Sequence, residues 1–132
     1  MGKFLDVDLT TGKIGDYTFK EKDLKMFLGG KGLALRIIME HARALSKKVN
    51  LAELDPLGPD NILVFATGPA TGTGFPSSGR YHVMALKSPL TGSVASANSG
   101  GEWGPHLKFA GYDGVIIRGA AKEPVYLTII DG

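Results

Sequence analysis

The chain has 132 residues, of which 43% are hydrophobic and 21% charged, with a formal net charge of +2. This composition predicts one folded domain, residues 1–132, and argues against intrinsic disorder and against a bilayer-spanning segment. The sequence contains no cysteine, which excludes disulfides, a thiolate nucleophile and any cysteine-ligated zinc or iron–sulfur centre built by this chain.

A β-hairpin is predicted at the N-terminus. Apolar and polar residues alternate over Phe4–Leu9, Thr10–Lys13 has the composition of a turn, and Ile14–Phe19 forms the returning strand. The first residues lack the apolar stretch of a secretory signal, so we expect a cytoplasmic protein.

Two helices are predicted to follow the hairpin. Thr18 and Glu21 have the spacing of a capping box, which indicates a short helix that ends at Gly29–Gly30. That helix would bury Leu24, Phe27 and Leu28. The polar residues of Leu33–Lys47 fall on a single stripe, as expected for a longer amphipathic helix.

Strands and glycine-rich loops alternate in the second half of the chain. Ile62–Thr67 is an almost continuous apolar run, which predicts a central strand covered on both faces. Gly68–Gly79 is predicted to be a loop, Arg80–Lys87 a strand, and Pro89–Gly101 a second loop rich in Ser, Thr and Gly. Glu102–Ala110 fits a short helix with a proline in its first turn.

The end of the chain is predicted to add a strand pair. Gly114–Gly119 and Val125–Ile130 are both rich in β-branched residues, and the segment Ala120–Pro124 would connect them.

The glycine cluster Gly29, Gly30 and Gly32 has two interpretations. A phosphate-binding loop needs a strand, then glycines, then a helix. Here a helix precedes the glycines, so the sequence favours a tight turn between two helices.

A candidate anion site is predicted at the two loops that flank the Arg80 strand. The guanidinium of Arg80 is a forked, permanently charged donor, and the Asn98–Gly101 turn offers backbone groups that glycine leaves accessible to a phosphate or a hard cation. We expect Arg80 and this turn to lie on one exposed edge of the sheet. The sequence is equally compatible with an ordinary β-turn beside an ordinary surface arginine.

Three further side chains have the chemistry to contribute to such a site. His82 and His106 would serve as acid–base groups if they shared that pocket, but a histidine with no carboxylate nearby in sequence is more often packed or exposed. Trp103 would stack on a flat cofactor, although an aromatic anchor for a short helix is the favoured interpretation.

The chain resembles the N-terminal domain of the tungsten-containing aldehyde:ferredoxin oxidoreductases. Similar motifs run in order along most of the sequence. They are Asp8–Ile14, Phe27–Ala34, Asp55–Asn61, Phe65–Pro69, Gly79–Tyr81, Lys87–Gly92, Ala97–Gly101 and Leu107–Asp113.

The resemblance implies a fold and a set of cofactor contacts. The fold is α+β, a mixed and largely antiparallel sheet with two or three helices, forming part of a base for a tungsten or molybdenum bis-pterin. Arg80, Asn98 and Gly100 match cofactor-binding positions. The backbone carbonyl of Asn98 matches a ligand of the magnesium ion that bridges the pterin phosphates. The family's 4Fe-4S cluster would not be ligated by this chain.

The resemblance also implies what the complete enzyme does. Enzymes of this class oxidise aldehydes to carboxylic acids and pass the electrons to ferredoxin. We expect the remaining cofactor base and the catalytic domains to lie outside these 132 residues, and the isolated chain to hold no metal, to be inactive and to form a homodimer or larger oligomer. The alternative is a stand-alone, non-enzymatic domain that self-associates or binds a pterin or nucleotide.

Nucleic acid and membranes are not expected partners. The first 50 residues carry 10 Lys and Arg against 6 Asp and Glu, and the remainder 5 against 7. A nucleic-acid-binding domain normally has a concentrated basic stripe. The mild asymmetry seen here is better explained by solvated helix surfaces.

Overall fold

A six-stranded sheet organises the protein, in the order β2-β1-β6-β3-β4-β5. The computed structural model describes residues 1–132. The strands are β1 Lys3–Asp8, β2 Lys13–Thr18, β3 Leu63–Thr67, β4 Tyr81–Ala85, β5 Ala95–Ser99 and β6 Gly114–Arg118. The helices are α1 Glu21–Phe27, α2 Lys31–Leu45 and α3 Trp103–Phe109, with a 3-10 turn at Leu51–Glu53. Only β1 and β6 pair in parallel, which confirms the α+β class and the mixed, largely antiparallel sheet.

Helix α2 covers one face of the sheet and builds the larger core. Its buried residues recur at three- and four-residue intervals, so one stripe of the helix faces the strands. The side chains buried between helix and sheet include Phe4, Leu33, Ala34, Ile37, Ile38, Val64 and Ile116. No helix has both the length and the apolar character needed to cross a membrane.

The opposite face of the sheet is covered less completely. Leu5, Val7 and Val115 pack there against Leu107 of α3 and against Tyr112. The C-terminal segment lies on the same face and has no regular secondary structure. Beyond β1 and β6 this cover reaches β3 and β4 only at one end, where Trp103 packs on Phe65 and Tyr81, so the rest of the β3–β4–β5 part of the face stays partly open.

The predicted strand at Val125–Ile130 is wrong, for a topological reason. β6 already pairs with β1 on one side and β3 on the other, so it has no free edge for another strand. The segment therefore lies outside the sheet, with Tyr126 exposed at 92%.

The predicted loop at Pro89–Gly101 is also wrong in part, because it contains β5. The sequence Ala-Ser-Ala-Asn-Ser has low intrinsic strand propensity. It forms a strand because β4 presents an unpaired edge, and all five residues pair with it. The Asn98–Gly101 turn is therefore the end of an edge strand rather than a β-turn.

The capping box predicted at Thr18 does not form. Thr18 pairs with Lys3 in the hairpin, so it cannot cap a helix. Helix α1 begins after Lys20 without a side-chain cap. Leu24 and Phe27 pack against the core as predicted, whereas Leu28 takes a φ of 61° at the helix end and is 67% exposed.

Asp113 joins four elements at the centre of the sheet. Its carboxylate accepts hydrogen bonds from the backbone N–H groups of Gly2 and Lys3 and pairs with the ammonium of Lys108 in α3. Its backbone carbonyl accepts from both the N–H and the hydroxyl of Thr67, at 2.9 and 2.7 Å. Burial alone would raise the pKa of this carboxyl, but the Lys108 ammonium and the backbone donors outweigh it and lower the pKa below its ordinary value.

We predict that Asp113→Asn lowers the free energy of unfolding by about 3 kcal/mol, because it leaves the mostly buried Lys108 ammonium unpaired. Since the pKa of Asp113 is lowered in the folded state, its contribution is present near neutral pH and is lost as the pH falls below about 4. Urea unfolding between acid and neutral pH measures both effects. Asp60→Asn, at an exposed carboxylate without a side-chain partner, is the control and should change little. A wild-type pH profile identical to that of Asp113→Asn would contradict the assignment.

Candidate functional site

The chain segments before β4 and after β5 touch each other. A Cβ atom on Gly79 would lie 3.1 Å from the carbonyl oxygen of Gly101, and one on Gly104 would lie 3.0 Å from that of Gly79. Only glycine allows the backbones to approach this closely without adjustment. The contact brings Arg80, at the start of β4, and Asn98, near the end of β5, to the same end of the sheet.

Arg80 and Asn98 line one open depression of about 370 Å³. We call it the α2–β4 depression. The start of α2, the end of β3, β4 and β5 contribute its lining residues, which are Gly30, Lys31, Ala66, Gly68, Arg80, Tyr81, His82 and Asn98. Gly100, the third predicted site residue, lies just beyond β5, outside this lining, and faces open space.

The α2–β4 depression is cationic. Lys31 and Arg80 line it, and no carboxylate does. Neither cation makes an ion pair or a side-chain hydrogen bond within the chain; Arg80 accepts one bond, from Thr71, at its backbone oxygen. Two unpaired cations on one concave surface favour an anionic ligand.

The start of α2 forms one wall of the depression. The Gly30 N–H donates to the carbonyl of Thr67 at 2.8 Å, which ties the helix start to the end of β3. A Cβ atom on Gly32 would lie 2.2 Å from the carbonyl oxygen of Phe27, so the turn from α1 requires glycine there. The predicted interhelical turn is thus confirmed, and the same turn presents the N-terminal end of α2, which carries partial positive charge, to the depression.

The strand register directs the backbone of Asn98 to the open edge of the sheet. Thr67 donates its N–H to Asp113 across the β3–β6 pair, so alternate residues of β3, including Ala66, direct their backbone groups at β4. His82 pairs with Ala66 and therefore faces β3 with its own N–H and C=O. The pair His82 and Asn98 is consequently not joined by backbone hydrogen bonds. The carbonyl of Asn98 points away from β4, where no strand follows.

The two candidate histidines lie in different places and share no acid–base pocket, in agreement with the favoured interpretation that each is packed or exposed. His82 is 8% exposed in the floor of the depression, and both ring nitrogens contact side chains of β5. His106 is on the exposed surface of α3, with Nε2 3.9 Å from a carboxylate oxygen of Glu102. α3 starts at Trp103, which packs on Tyr81 with ring centroids 4.4 Å apart, as expected for a helix anchor.

The sequence alone does not indicate that Lys31 and His82 belong to the site. Lys31 stands between glycines at a helix start, a signal that becomes informative only when the end of β3 is known to lie beside it. The position of His82 opposite Asn98 depends on β5, a segment for which the sequence predicts a loop. No three His, Asp or Glu side chains come together in a group that would hold a metal ion.

Comparison with known proteins gives consistent matches over almost the whole chain. The sequence model of the family described as "Aldehyde ferredoxin oxidoreductase, N-terminal domain" matches residues 4–132. The "Tungsten-containing aldehyde ferredoxin oxidoreductase" of Pyrococcus abyssi is 49% identical over 130 residues, covering 98% of this chain and 20% of the relative. The "Aliphatic sulfonate oxidoreductase, WOR-like subunit" of Pyrococcus furiosus is 44% identical over 128 residues, covering 97% of this chain and 19% of the relative.

A solved structure agrees with these matches. The active site complex BamBC of benzoyl coenzyme A reductase, in complex with 1,5 dienoyl-CoA, has a TM-score of 0.81 and 38% identity. The match covers 98% of this chain and 18% of the other. The chain thus spans about a fifth of the length of the relatives it matches.

We predict that Gly32→Ala lowers the free energy of unfolding by about 2–3 kcal/mol, because the methyl group would meet the backbone carbonyl of Phe27, which cannot move without displacing the end of α1. Thermal or urea unfolding measures this change. Gly100→Ala is the matched control, since its Cβ would enter open space, and its effect should stay within about 0.5 kcal/mol. Equal stability of the two variants would contradict the role given to Gly32.

Proposed function

Because the chain belongs to the aldehyde ferredoxin oxidoreductase family, as its N-terminal domain, we propose that it forms part of the base on which a tungsten bis-pterin cofactor sits. The complete enzyme oxidises aldehydes to carboxylic acids and passes the electrons to ferredoxin in the cytoplasm. When bound, the cofactor supplies the redox chemistry. The residues of this chain bind and orient it.

The α2–β4 depression is the observation that carries the proposal. A pterin phosphate is a compact anion, and the depression offers it two unpaired cations with no competing carboxylate. Arg80 presents a planar fork that donates two parallel hydrogen bonds to phosphate oxygens. Lys31 adds a point charge from the opposite wall, at the positive end of α2. The residues present therefore fit the phosphate end of the cofactor.

Asn98 and Gly100 complete the proposed contact. Magnesium takes oxygen ligands and keeps several waters, so it needs only one or two groups from protein. The carbonyl of Asn98 meets this need because it lies unpaired at the open edge of the sheet, beside the depression. Gly100 faces open space and lets a ligand approach the backbone closely. A molybdenum bis-pterin would present the same phosphates, so these contacts do not discriminate between the two metals.

The iron–sulfur cluster of the complete enzyme belongs to other parts of the protein in this proposal. Cluster ligation needs thiolates, and the chain has no cysteine. Catalytic residues that touch the aldehyde are likewise assigned to the parts of the complete enzyme beyond this domain. This chain alone is then a cofactor-binding part rather than a catalyst.

A second candidate function follows from the open part of the sheet. On the face opposite α2, Leu63, Val83 and Ala85 are only half-buried, and Leu57, which lines the same hollow as Leu63 and Ala85, is 82% exposed. Apolar surface of this kind favours association. In the complete enzyme another part of the protein covers it. In a stand-alone domain, a second copy would cover it in a symmetric contact.

We predict that Arg80→Ala in the full-length protein lowers the tungsten and pterin content per polypeptide several-fold while leaving unfolding by urea unchanged, since Arg80 is exposed and has no side-chain partner. Metal analysis and the fluorescence of the released, oxidised pterin measure the content. Arg43→Ala, at an exposed arginine on the far end of α2, is the matched control. Full cofactor content in Arg80→Ala would reject the proposed site.

Self-association of the 132-residue chain is a separate prediction. We expect light scattering to show a dimer or larger species that dissociates on dilution, because the β3–β4–β5 face is apolar and open. Leu63→Lys should shift the chain to monomer, whereas Lys22→Glu, an exposed change on α1, should not. A wild-type monomer at high concentration would rule out the stand-alone, self-associating function.

A further inference from the structure

We propose that His82 is a positioning residue that holds the side-chain amide of Asn98 with its NH2 group free to donate to an anionic ligand in the α2–β4 depression. The inference rests on the proposed function and adds to it. It assigns to Asn98 a second contact, from its side chain, beside the one made by its backbone carbonyl. It also gives the buried histidine a task that core packing does not require.

The contact between His82 and Asn98 follows from the sheet. The two residues are directly opposite each other in a pair without backbone hydrogen bonds, the arrangement in which facing side chains lie closest. Nδ1 of His82 contacts Oδ1 of Asn98, and Nε2 lies 2.8 Å from the hydroxyl oxygen of Ser96. Both partners are on the edge strand β5, and no residue of α2 or β3 bonds the ring.

The chemistry of these groups sets the direction of every hydrogen bond. An amide oxygen only accepts, so Nδ1 of His82 carries the hydrogen. In the neutral ring Nε2 is then the acceptor and takes the hydrogen of the Ser96 hydroxyl. Donation therefore runs from Ser96 to His82 to Asn98. The NH2 end of the amide has no acceptor within the chain, although Asn98 lines the depression.

The result is a third donor beside two cations. Arg80 and Lys31 supply charge to the depression, and the Asn98 amide adds a neutral donor of fixed orientation. Without the histidine, the amide would be free to rotate and present its oxygen, which repels a phosphate. The side chain of His82 is only 8% exposed. An apolar side chain of similar size would fill the same space without burying polar nitrogen atoms, so packing alone does not call for a histidine.

The test uses the full-length, tungsten-loaded protein. His82→Phe keeps the volume of the ring and removes both hydrogen bonds, and His82→Asn restores an amide donor at the position of Nδ1, the ring nitrogen that contacts Asn98. We expect the pterin to dissociate about tenfold faster from His82→Phe, as for a lost hydrogen bond to a charged group, and the rate to return toward wild type in His82→Asn. Folding is checked by urea unfolding. If His82→Phe does not fold, Ser96→Ala, which removes only the first donor, replaces it, with a two- to threefold increase expected.

The tautomer of the His82 ring provides a second test, because a purely structural role for His82 would not require one particular tautomer. Nitrogen NMR of the histidine-labelled protein should give the Nδ1–H tautomer for His82, and Ser96→Ala should reduce its population. An Nε2–H tautomer in wild type, or an unchanged dissociation rate in His82→Phe, overturns the inference. Arg80→Ala is run in parallel: if it loses the cofactor while His82→Phe retains it, only the role of His82 fails. If both retain it, the proposed function fails.

Discussion

The buried carboxylate of Asp113 is the constraint on which the rest of the architecture depends. One residue, at the turn from α3 into β6, holds the start of β1, the end of β3 and the body of α3. A charge at 5% exposure is costly unless it is fully paired. Here it is paired by an ammonium and two backbone N–H groups, so a shift of β1 or α3 would leave the charge unsatisfied, while β3 is held by the backbone carbonyl of the same residue. The position of β3 therefore follows from Asp113, and with it the direction in which each backbone group of β4 and β5 points.

The alternation of residues along the strands also sets the geometry of the candidate site. Residues in a strand alternate between the two sheet faces and between the two neighbours they bond. A shift of one residue anywhere between β6 and β5 would turn the carbonyl of Asn98 toward β4 and its side chain to the opposite face. The cationic depression, the free carbonyl and the contact between His82 and Asn98 are thus three consequences of one register.

Most of the fold could be predicted from the sequence, and the exceptions have physical explanations. The hairpin, α2, β3, α3 and β6 each carry a strong periodic or capping signal of their own. β5 has no such signal. Its small residues have low strand propensity, and it forms a strand because it pairs with the free edge of β4. Val125–Ile130 has the opposite property: its residues favour a strand, but β6 has no free edge to pair with.

The candidate site likewise contains some residues that the sequence predicts and others that it does not. Arg80 and Asn98 could be identified because glycine-rich loops and a resemblance to a known family both pointed to them. Lys31 and the contacts of His82 could not, because they arise from elements distant in sequence. Lys31 lines the same depression as Arg80 because the bond from Gly30 to Thr67 ties the start of α2 to the end of β3, and no local pattern encodes that bond.

The position of β6 within the sheet has a consequence for how the protein acquires its structure. The hairpin β1–β2 and the meander β3–β4–β5 are separate until a strand near residue 118 enters between β1 and β3. During synthesis on the ribosome, the β1–β2 hairpin and the β3–β4–β5 meander cannot join before β6 has been made. The edges of β1 and β3 that β6 will cover stay exposed until then. Long-range closure of this kind raises contact order and slows folding. Unpaired edges of the waiting pieces are the places where a chaperone would bind and where premature association between nascent chains would begin.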